Sequence, residues 1–204
     1  MKLVAVSQRV DFYPERVEVR DALDQRLISF VTAAGFVPVP IPNFICEKHP
    51  NDQFDYSSIE KWVLTVKPKA FLLSGGNDIG HSQGRDLIEH WLLDYATIKS
   101  LPVLGVCRGM QIMAHRAGIE LKSIKKHVRT RHLVSGEIKG EVNSYHSLSI
   151  ASCSHDFRVL AKSVDGCIEA IRHQHLPWEG WMWHPEREKK FSARDTQRIQ
   201  ELFS

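Results

Sequence analysis

The sequence predicts an α/β fold in which a mostly parallel sheet is covered by helices on both faces. Short apolar segments alternate with helix-like segments through the first two-thirds of the chain, and residues 103–106 are entirely apolar or glycine, as in a strand buried on both faces. The last third carries short segments of alternating polarity between turns, which indicates an added antiparallel portion. Because we find no linker and no repeat, we expect a single domain over residues 1–204.

The parallel portion can be predicted element by element. Residues 18–34 are expected to form one helix because apolar side chains recur at helical spacing from Val19 to Val31, and Gly35 suits the position that ends a helix. The strands predicted in this portion are 2–6, 36–40, 69–73 and 102–106, and the helices are 18–34, 56–66, 85–99 and 110–116.

The antiparallel portion begins with a predicted hairpin. Its strands, 131–138 and 141–143, flank a short turn at Lys139 and Gly140. The remaining predictions are strands at 158–163, 167–172 and 180–183 and a closing helix at 194–203.

Charge and hydropathy exclude several classes of protein. A net charge of +3 is too small to indicate a nucleic-acid partner. No apolar run approaches the roughly 18 residues that cross a membrane, and the N-terminus lacks the pattern of a signal peptide. The basic run at 125–132 is predicted to be a solvated loop face, and the alternative is one wall of a site for a phosphate-bearing ligand.

Cysteine and histidine usage indicates a reducing environment and no metal motif. The cysteines show neither a paired motif nor the density of a disulfide scaffold, so we expect a cytoplasmic protein; they are Cys46, Cys107, Cys153 and Cys167. Eleven histidines are present, but none has the spacing of the common zinc motifs. The sequence therefore predicts no metal.

The stretch from 103 to 111 predicts a reactive cysteine. Cys107 lies between Gly105 and Gly109 at a strand-to-helix junction, which is the pattern of a nucleophile elbow. The dipole and free N–H groups at the start of the following helix favour a thiolate. We therefore interpret Cys107 as a nucleophile, with a buried thiol in a tight turn as the alternative.

Two further segments carry the groups that such a nucleophile needs. His184 ends a short apolar strand, and Glu186 follows beyond a proline, so the carboxylate can orient the imidazole while the ring deprotonates the thiol. Gly75 and Gly76 follow another predicted strand, where backbone N–H groups can closely approach a ligand. Together with the N–H of Arg108, they are expected to bind the oxyanion of an acyl-transfer intermediate.

These motifs resemble those of the class I glutamine amidotransferase family. The resemblance is carried by Gly-Val-Cys-Arg-Gly-Met-Gln at 105–111, His-Pro-Glu at 184–186 and the glycines at 75–76. It covers essentially the whole chain and is greatest to the stand-alone γ-glutamyl hydrolases (peptidase C26) related to γ-glutamyl-γ-aminobutyrate hydrolase. It implies a flavodoxin-like core, no cofactor, and a covalent γ-glutamyl thioester that water hydrolyses.

The resemblance also assigns roles to individual residues. It makes Cys107 the nucleophile, His184 the base and then the acid, and Glu186 the orienting group. Gln111 would contact the amino-acid head of the glutamyl group. A family segment that holds this head through its backbone corresponds to 142–147, where the substrate-binding positions would be Asn143, Ser144, Tyr145 and His146. For His146, simple packing is an equally open interpretation.

Three arginines bear on the leaving group. Arg9 follows the first strand, at the edge where open parallel sheets bind ligands. Arg20 and Asp24 would share a face of the predicted helix, which is the spacing of an ordinary surface pair. If Arg9, Arg20 and Arg26 instead line the entrance, they would suit an anionic leaving group. Residues around these arginines and at 182–187 also resemble a subgroup tied to surface-polysaccharide biosynthesis, in which one activity is hydrolysis of γ-glutamyl cytidine diphosphoramidate (γ-glutamyl-CDP-amidate).

Three hypotheses follow. The first is a cytoplasmic hydrolase that releases glutamate and an amine from a γ-glutamyl amide; the amine would be γ-aminobutyrate, another polyamine-derived amine or a nucleotide phosphoramidate. The second is a glutaminase subunit that supplies ammonia to a separate synthetase. The third, a non-enzymatic binding protein, is disfavoured because all three expected catalytic groups are present. We expect a small-molecule γ-glutamyl substrate and neither nucleic acid nor a membrane as partner, with a homodimer left open.

Overall fold

The computed structural model describes residues 1–43 and 54–204, together with the backbone of 47–48. The helices are α1 (Gln25–Ala33), α2 (Ser57–Val66), α3 (Gln83–Lys99), α4 (Arg108–Arg116) and α5 (Ala193–Leu202), with short 3-10 helices at Pro14–Arg16 and Pro185–Arg187. The strands are β1 (Leu3–Val6), β2 (Arg9–Tyr13), β3 (Glu18–Ala22), β4 (Val37–Pro40), β5 (Glu47–Lys48), β6 (Phe54–Asp55), β7 (Ala70–Leu73), β8 (Val103–Val106), β9 (Leu121–Ser123), β10 (Val128–Gly136), β11 (Gly140–Tyr145), β12 (Leu148–Ile150), β13 (Phe157–Ser163), β14 (Ile168–His173) and β15 (Trp178–Trp181).

One mixed sheet organises the described residues. Nine of their strands pair in the order β11-β10-β13-β14-β15-β8-β7-β1-β4. The half from β15 to β4 is parallel, and the half from β14 to β11 is antiparallel. Every residue of β7 and β8 is buried, as expected for central parallel strands with helices on both faces. The predicted fold class, a parallel sheet with an antiparallel addition, is confirmed.

Neighbouring residues of β15 show that helices cover both faces. Gly180 lies against Met110 of α4, and an added Cβ would come within 2.7 Å of the Met110 side chain. Glu179 points to the opposite face, where its Oε2 accepts a 2.7 Å hydrogen bond from Arg198 of α5. Because successive side chains of a strand alternate in direction, α4 and α5 lie on opposite faces of the sheet.

The carboxyl ends of four parallel strands meet at one edge of the sheet. There β1 leads to Arg9, β7 to the glycine pair at 75–76, β8 to Cys107 and β15 to His184. Ligands in open α/β sheets bind outside this edge. The fold therefore brings together groups that are separated by as many as 175 positions along the chain, from Arg9 to His184.

The helix predicted at 18–34 is wrong in its first part. Residues Glu18–Ala22 form β3, which pairs antiparallel with β2, and helix α1 begins only after Asp24. The Asp24 side chain accepts a 2.8 Å hydrogen bond from the backbone N–H of Arg26, so it caps the helix from outside rather than lying within it. The end of the helix was predicted correctly, because Gly35 has a φ of +93°.

Other differences concern short strands and the basic run. The small strands β2, β3, β5, β6, β9 and β12 were not predicted, because pairs of such short strands depend on distant contacts rather than on local pattern. The basic run at 125–132 is not simply a loop face, since β10 begins at Val128 and His127 is buried. The expectation that Cys46 stays unpaired lies outside the described residues. No helix of the described chain combines the length and hydropathy needed to cross a membrane.

Candidate active site

The elbow at Cys107 is built by close backbone packing. Cys107 has φ 51° and ψ −104°, a left-handed conformation that side chains rarely adopt and that costs on the order of 1–3 kcal/mol. Its N–H donates to Trp181 O at 2.7 Å, and its carbonyl accepts from the N–H groups of Met110 and Gln111. These bonds hold the strained turn between β8 and α4, so the sulfur is presented at the sheet edge.

The two elbow glycines are required by space. A Cβ on Gly109 would lie 2.0 Å from Leu73 O, and one on Gly105 would lie 2.5 Å from Gly109. Neither contact is possible between real atoms, so α4 can approach β7 and β8 this closely only because both positions lack a side chain. The pattern of small residues around Cys107 therefore has a direct steric cause.

His184 and Glu186 form a buried pair beside the elbow. The Glu186 Oε1 atom lies 2.6 Å from His184 Nδ1, and both side chains are almost fully buried. The 3-10 helix Pro185–Arg187 turns the chain so that the two side chains meet. A carboxylate at Nδ1 fixes the ring orientation and directs Nε2 towards its other partner.

The electrostatic surroundings of His184 favour its charged form. Burial lowers the pKa of its imidazole, but hydrogen bonding and charge interactions with Cys107 and Glu186 outweigh burial and raise the pKa to about 9. At neutral pH, His184 therefore carries a proton. The alkaline limit of any reaction that needs this proton should lie near the raised value.

Asn143 holds the backbone of His184 from both sides. Its Nδ2 donates to His184 O at 2.7 Å, and its Oδ1 accepts from the His184 N–H at 2.9 Å. The same amide nitrogen donates to Glu188 Oε1 at 2.7 Å. Asn143 is thus fully engaged in positioning this turn.

The glycine loop after β7 packs directly on the histidine. A Cβ on Gly75 would lie 2.6 Å from His184 Cε1, and one on Gly76 would lie 2.7 Å from both Arg9 Cβ and Arg85 Nη1. With φ +134°, Gly76 also has a conformation that favours glycine. The N–H of Arg108 belongs to the first turn of α4, where no acceptor within the helix is available to it. These three backbone positions surround the elbow.

A buried ionic network supports this loop from below, and sequence reasoning missed it. Arg85 donates through Nη2 to Ser74 O at 2.6 Å and through Nε to Glu89 Oε1 at 3.0 Å. Glu89 also pairs with Arg108 and accepts a 2.7 Å hydrogen bond from Ser7. Burial lowers the pKa of Arg85 to about 10 and of Arg108 to about 9, so both remain cations at neutral pH.

The signal for that network was weak in the sequence. Arg85 and Glu89 have the i, i+4 spacing of an ion pair on a helix, which is more often an exposed pair of little energetic weight. Only the tertiary packing shows that this face of α3 is buried beneath the glycine loop.

An open cleft of about 380 Å³ lies over the cysteine. Cys107 and His184 line it on one side, and Arg9, Tyr145 and Arg187 lie around its rim. The Arg187 guanidinium lies 4.4 Å from the centre of the Tyr145 ring, and the Arg9 side chain is about half exposed. The cleft therefore brings a cysteine thiol and an imidazole together with cationic side chains.

Other residues singled out from the sequence lie elsewhere. Arg20 pairs with Glu18 on the exposed hairpin of β2 and β3, so its predicted helical pairing with Asp24 is wrong. Arg26 donates through Nε to Glu186 O at 2.7 Å and also to Glu188 O, so it supports the turn instead of lining the cleft.

The predicted glutamyl-head segment is divided in a similar way. Tyr145 lines the cleft, whereas Ser144 is buried and donates to His127 O at 2.7 Å. His146 is buried and faces Glu169, away from the cleft lining. Gln111 is buried and donates to Leu148 O at 3.1 Å, which links α4 to the segment after β11.

Comparison with known proteins places this geometry in a family. The profile of the family described as glutamine amidotransferase class-I matches residues 43–201. The chain belongs to the class I glutamine amidotransferases. Their relatives named as γ-glutamyl hydrolases act on C–N bonds, and the chain is accordingly a hydrolase of the class I glutamine amidotransferase type.

Individual relatives show how far the likeness extends. The chain is 29% identical to the gamma-glutamyl-CDP-amidate hydrolase of Campylobacter jejuni, over 98% of this chain and 97% of that protein. It is 24% identical to the gamma-glutamyl-gamma-aminobutyrate hydrolase of Escherichia coli, over 80% of this chain and 78% of that protein. A crystal structure of a glutamine amidotransferase from Thermotoga maritima superimposes with a TM-score of 0.64 at 14% identity, over 99% of this chain and 82% of that one.

Proposed function

We propose that this class I glutamine amidotransferase hydrolyses the γ-glutamyl amide of an anionic, nucleotide phosphoramidate-type amine, of which γ-glutamyl-CDP-amidate is the leading candidate. The observation that carries the proposal is that Cys107 and His184, which is paired with Glu186, line the same cleft as Arg9 and Arg187. The full-length similarity to a gamma-glutamyl-CDP-amidate hydrolase supports the same substrate class. The reaction would take place in the reducing cytoplasm, where the Cys107 thiol stays free.

Acylation follows from the proposed roles. The Cys107 thiolate attacks the γ-carbonyl carbon, so that a C–S bond forms and the carbonyl oxygen becomes an oxyanion. The N–H groups of Gly75, Gly76 and Arg108 would stabilise this oxyanion; loss of one such donor typically reduces kcat about 10²–10³-fold. The His184 imidazolium then protonates the departing nitrogen, the C–N bond breaks, and the amine leaves.

Deacylation uses the same groups in reverse. His184, now neutral, takes a proton from a water molecule that attacks the γ-glutamyl thioester. The C–S bond breaks, glutamate is released, and the thiolate–imidazolium pair is restored. Glu186 orients the ring in both half-reactions and touches no substrate atom, so it is a positioning residue.

The arginines at the rim account for the preference for an anionic leaving group. A guanidinium can bind phosphate oxygens through two parallel N–H donors. Arg9 and Arg187 line the open cleft, so they lie where an anionic leaving group would bind.

A substrate panel tests the proposal. The purified protein is incubated separately with glutamine, γ-glutamyl-γ-aminobutyrate and γ-glutamyl-CDP-amidate, and glutamate release is measured. We expect the highest kcat/KM with γ-glutamyl-CDP-amidate and a loss of at least about 10³-fold in Cys107→Ala. Activity that survives in Cys107→Ala would contradict the mechanism. If γ-glutamyl-γ-aminobutyrate is hydrolysed fastest, the protein is a γ-glutamyl-γ-aminobutyrate hydrolase and the proposed substrate is wrong. If glutamine is hydrolysed fastest, with release of ammonia, the protein is a glutaminase.

A matched pair of arginine variants tests the leaving-group site. Arg9→Gln should raise the KM for the nucleotide substrate about tenfold, which corresponds to roughly 1.4 kcal/mol of binding. Arg20→Gln is the control because Arg20 lies on the exposed part of the same hairpin, paired with Glu18. If Arg9→Gln and Arg20→Gln change the KM for the nucleotide substrate equally, Arg9 does not contact the phosphate. The same conclusion follows if Arg9→Gln raises the KM for an uncharged γ-glutamyl amide just as much.

A further inference from the structure

A second polar cluster lies outside the cleft lining, in the antiparallel half of the sheet. It is formed by His127 just before β10, His132 on β10, His146 just after β11 and Glu169 on β14. Glu169 is fully buried, and the side chains of His127 and His146 are nearly so. A buried carboxylate surrounded by three imidazoles has a high desolvation cost unless its oxygens have strong partners.

The distances within the cluster match those between ligands of a tetrahedral metal ion. Glu169 Oε1 lies 3.3 Å from His127 Nδ1 and 3.3 Å from His132 Nε2, and Glu169 Oε2 lies 3.6 Å from His146 Nε2. Two ligands of a tetrahedral zinc ion, each bound at 2.0–2.2 Å, are about 3.3–3.6 Å apart. The ligand atoms of His127, His132 and Glu169 all lie within 4.8 Å of one another, and His146 contacts this group through Glu169 Oε2.

The same atoms contact one another at distances longer than those of good hydrogen bonds. Within the described part of the chain, Glu169 Oε1 has ion-pair contacts of 3.3 Å with His127 and His132, and Oε2 has one of 3.6 Å with His146. Burial raises the pKa of Glu169, but hydrogen bonding and charge interactions with His132 and His146 outweigh burial and lower that pKa. Native proteins pair nearly all buried polar atoms. Contacts of this length are longer than charge-assisted hydrogen bonds, so an ion between the rings and the carboxylate would give these buried atoms stronger partners.

The outer nitrogens of two histidines are held as in metal sites. His127 Nε2 lies 2.9 Å from Asp165 Oδ2, and His146 Nδ1 lies 3.0 Å from Leu148 O. Metal-bound histidines almost always donate their other N–H to a carboxylate or a backbone carbonyl, which orients the ring. A cavity of about 330 Å³ bordered by His127, His132 and Asp165 gives an ion access from solvent.

We propose that this chain binds one zinc-class divalent ion through His127 Nδ1, His132 Nε2 and the carboxylate of Glu169, and that His146 Nε2, 3.6 Å from the same carboxylate, moves in as the fourth ligand when the ion binds. Three imidazoles and one carboxylate form a donor set that suits Zn²⁺ and related transition metals. Four protein ligands leave no open position for a substrate, so the ion has a structural role.

The proposed ion would fix the strand that supports the active site. His146 directly follows Tyr145, which lines the cleft, and the backbone N–H of His146 donates to His127 O at 3.0 Å. Leu148 O, the acceptor for His146 Nδ1, also accepts from Gln111. The ion would thus connect β14 and β10 to the segment between Tyr145 and Leu148 without entering the cleft.

A second grouping, His127 with Asp165 and Cys167, is a weaker candidate. It uses the other ring nitrogen of His127, and the Asp165 side chain is about half exposed. It would also make no use of buried Glu169, which three imidazoles contact. Thiolate coordination is therefore an outcome to be tested rather than the assignment.

Metal analysis of the full chain tests the proposal. The protein is incubated with excess Zn²⁺, dialysed against metal-depleted buffer, and its zinc content is measured by mass spectrometry. We expect one zinc per chain, and a fall in melting temperature after chelation that added Zn²⁺ reverses. A wild-type protein that retains no stoichiometric zinc would overturn the proposal, whatever the outcome of the substrate panel.

Variants locate the ion. His132→Ala and Glu169→Gln should lose stoichiometric zinc, while His115→Ala, at an exposed histidine of α4, and Cys107→Ala should retain it. Loss of zinc in Cys107→Ala would place the ion at the elbow and overturn the assignment. Asp165→Asn keeps an oxygen that can accept from Ser163 but changes the outer contact of His127, and it should weaken zinc binding about 10–100-fold, which keeps the proposal testable if the inner variants do not fold.

Cobalt substitution identifies the donor atoms. Four-coordinate Co²⁺ with nitrogen and oxygen ligands should show visible d–d bands and no sulfur-to-cobalt charge-transfer band in the near ultraviolet. A charge-transfer band that Cys167→Ser abolishes would overturn the assignment in favour of the Cys167 grouping.

Discussion

At the residue scale, the contacts of His184 determine the pKa of its imidazole. Its imidazole is buried, which lowers its pKa, yet the partners on either side raise that pKa to about 9. The turn that holds it is in turn fixed by Asn143 through two backbone hydrogen bonds. The side chain is therefore charged and oriented before any substrate arrives.

The raised pKa of His184 leads to a prediction about pH. The histidine loses its proton as the pH rises through about 9, so kcat/KM for a γ-glutamyl amide should fall above that pH. Glu186→Gln removes one of the two groups that raise the pKa and should move the alkaline limb to lower pH. An alkaline limb that stays in place in Glu186→Gln, measured from kcat/KM profiles of both proteins, would show that the limb does not report His184.

Gly109→Ala tests the steric explanation of the elbow. Helix propensity alone favours alanine over glycine by about 1 kcal/mol. The added Cβ would lie 2.0 Å from Leu73 O, and overpacking of this kind costs roughly 1–3 kcal/mol or more. We therefore expect a net loss of stability in urea unfolding. Gly118→Ala is the control because nothing lies near its Cβ and only its φ of +73° is unfavourable; a stabilised Gly109→Ala protein would refute the packing argument.

At the element scale, helix α1 illustrates a boundary that side-chain chemistry sets. Val19 and Leu23 continue the apolar spacing of the helix towards the N-terminus, but Asp24 accepts the N–H of Arg26 and begins the helix there. The segment before it pairs with β2, and this hairpin packs on the glycine loop through a 3.0 Å bond from the Val10 N–H to Asn77 Oδ1. Strand β3, which the sequence wrongly predicted as helix, thus pairs with the strand that carries Arg9 to the cleft.

Asp24→Ala distinguishes the observed boundary from the longer helix. As a cap, Asp24 contributes about 0.5–2 kcal/mol, so the substitution should lower the free energy of unfolding by that amount. Inside a continuous helix, the same change would raise stability because alanine is the better helix former. Chemical denaturation of wild type, Asp24→Ala and Asp24→Asn decides between them, since asparagine retains the cap and should cost little.

At the scale of the whole molecule, Glu89 joins segments that are distant in sequence. From α3 it contacts Ser7 after β1, Arg85 on its own helix and Arg108 at the start of α4. Through Arg85 the network continues to Ser74 below the glycine loop. Charges buried in this way are stabilising only while every partner is present.

Removal of that central charge should affect the entire fold. Glu89→Gln leaves two buried guanidinium groups without their shared carboxylate, and breaking a buried ion pair costs roughly 3–5 kcal/mol. Asp94→Asn is the matched control on the same helix, because Asp94 pairs with Arg116 at an exposed position worth less than about 1 kcal/mol. Similar unfolding free energies for the two variants would show that the buried network adds little to stability.

The sequence was sufficient wherever the determining contacts are local. The order of parallel strands and helices, the stop at Gly35 and the elbow around Cys107 follow from hydrophobic period and from the small size of glycine, which act over a few residues. The spacing of His184 and Glu186 was also informative, because a proline and a short turn are enough to bring the two side chains together.

Contacts between segments that are distant in sequence could be identified only from the folded structure. The burial of Arg85 and Glu89, the supporting contact of Arg26 and the place of Arg9 at the cleft are set by which faces meet in the sheet. The convergence of His127, His132, His146 and Glu169 arises from three strands of the antiparallel half, with no common zinc-motif spacing to reveal it. Local pattern specifies the elements, whereas the register and pairing of strands determine which side chains share a buried space, and that is a long-range property of the chain.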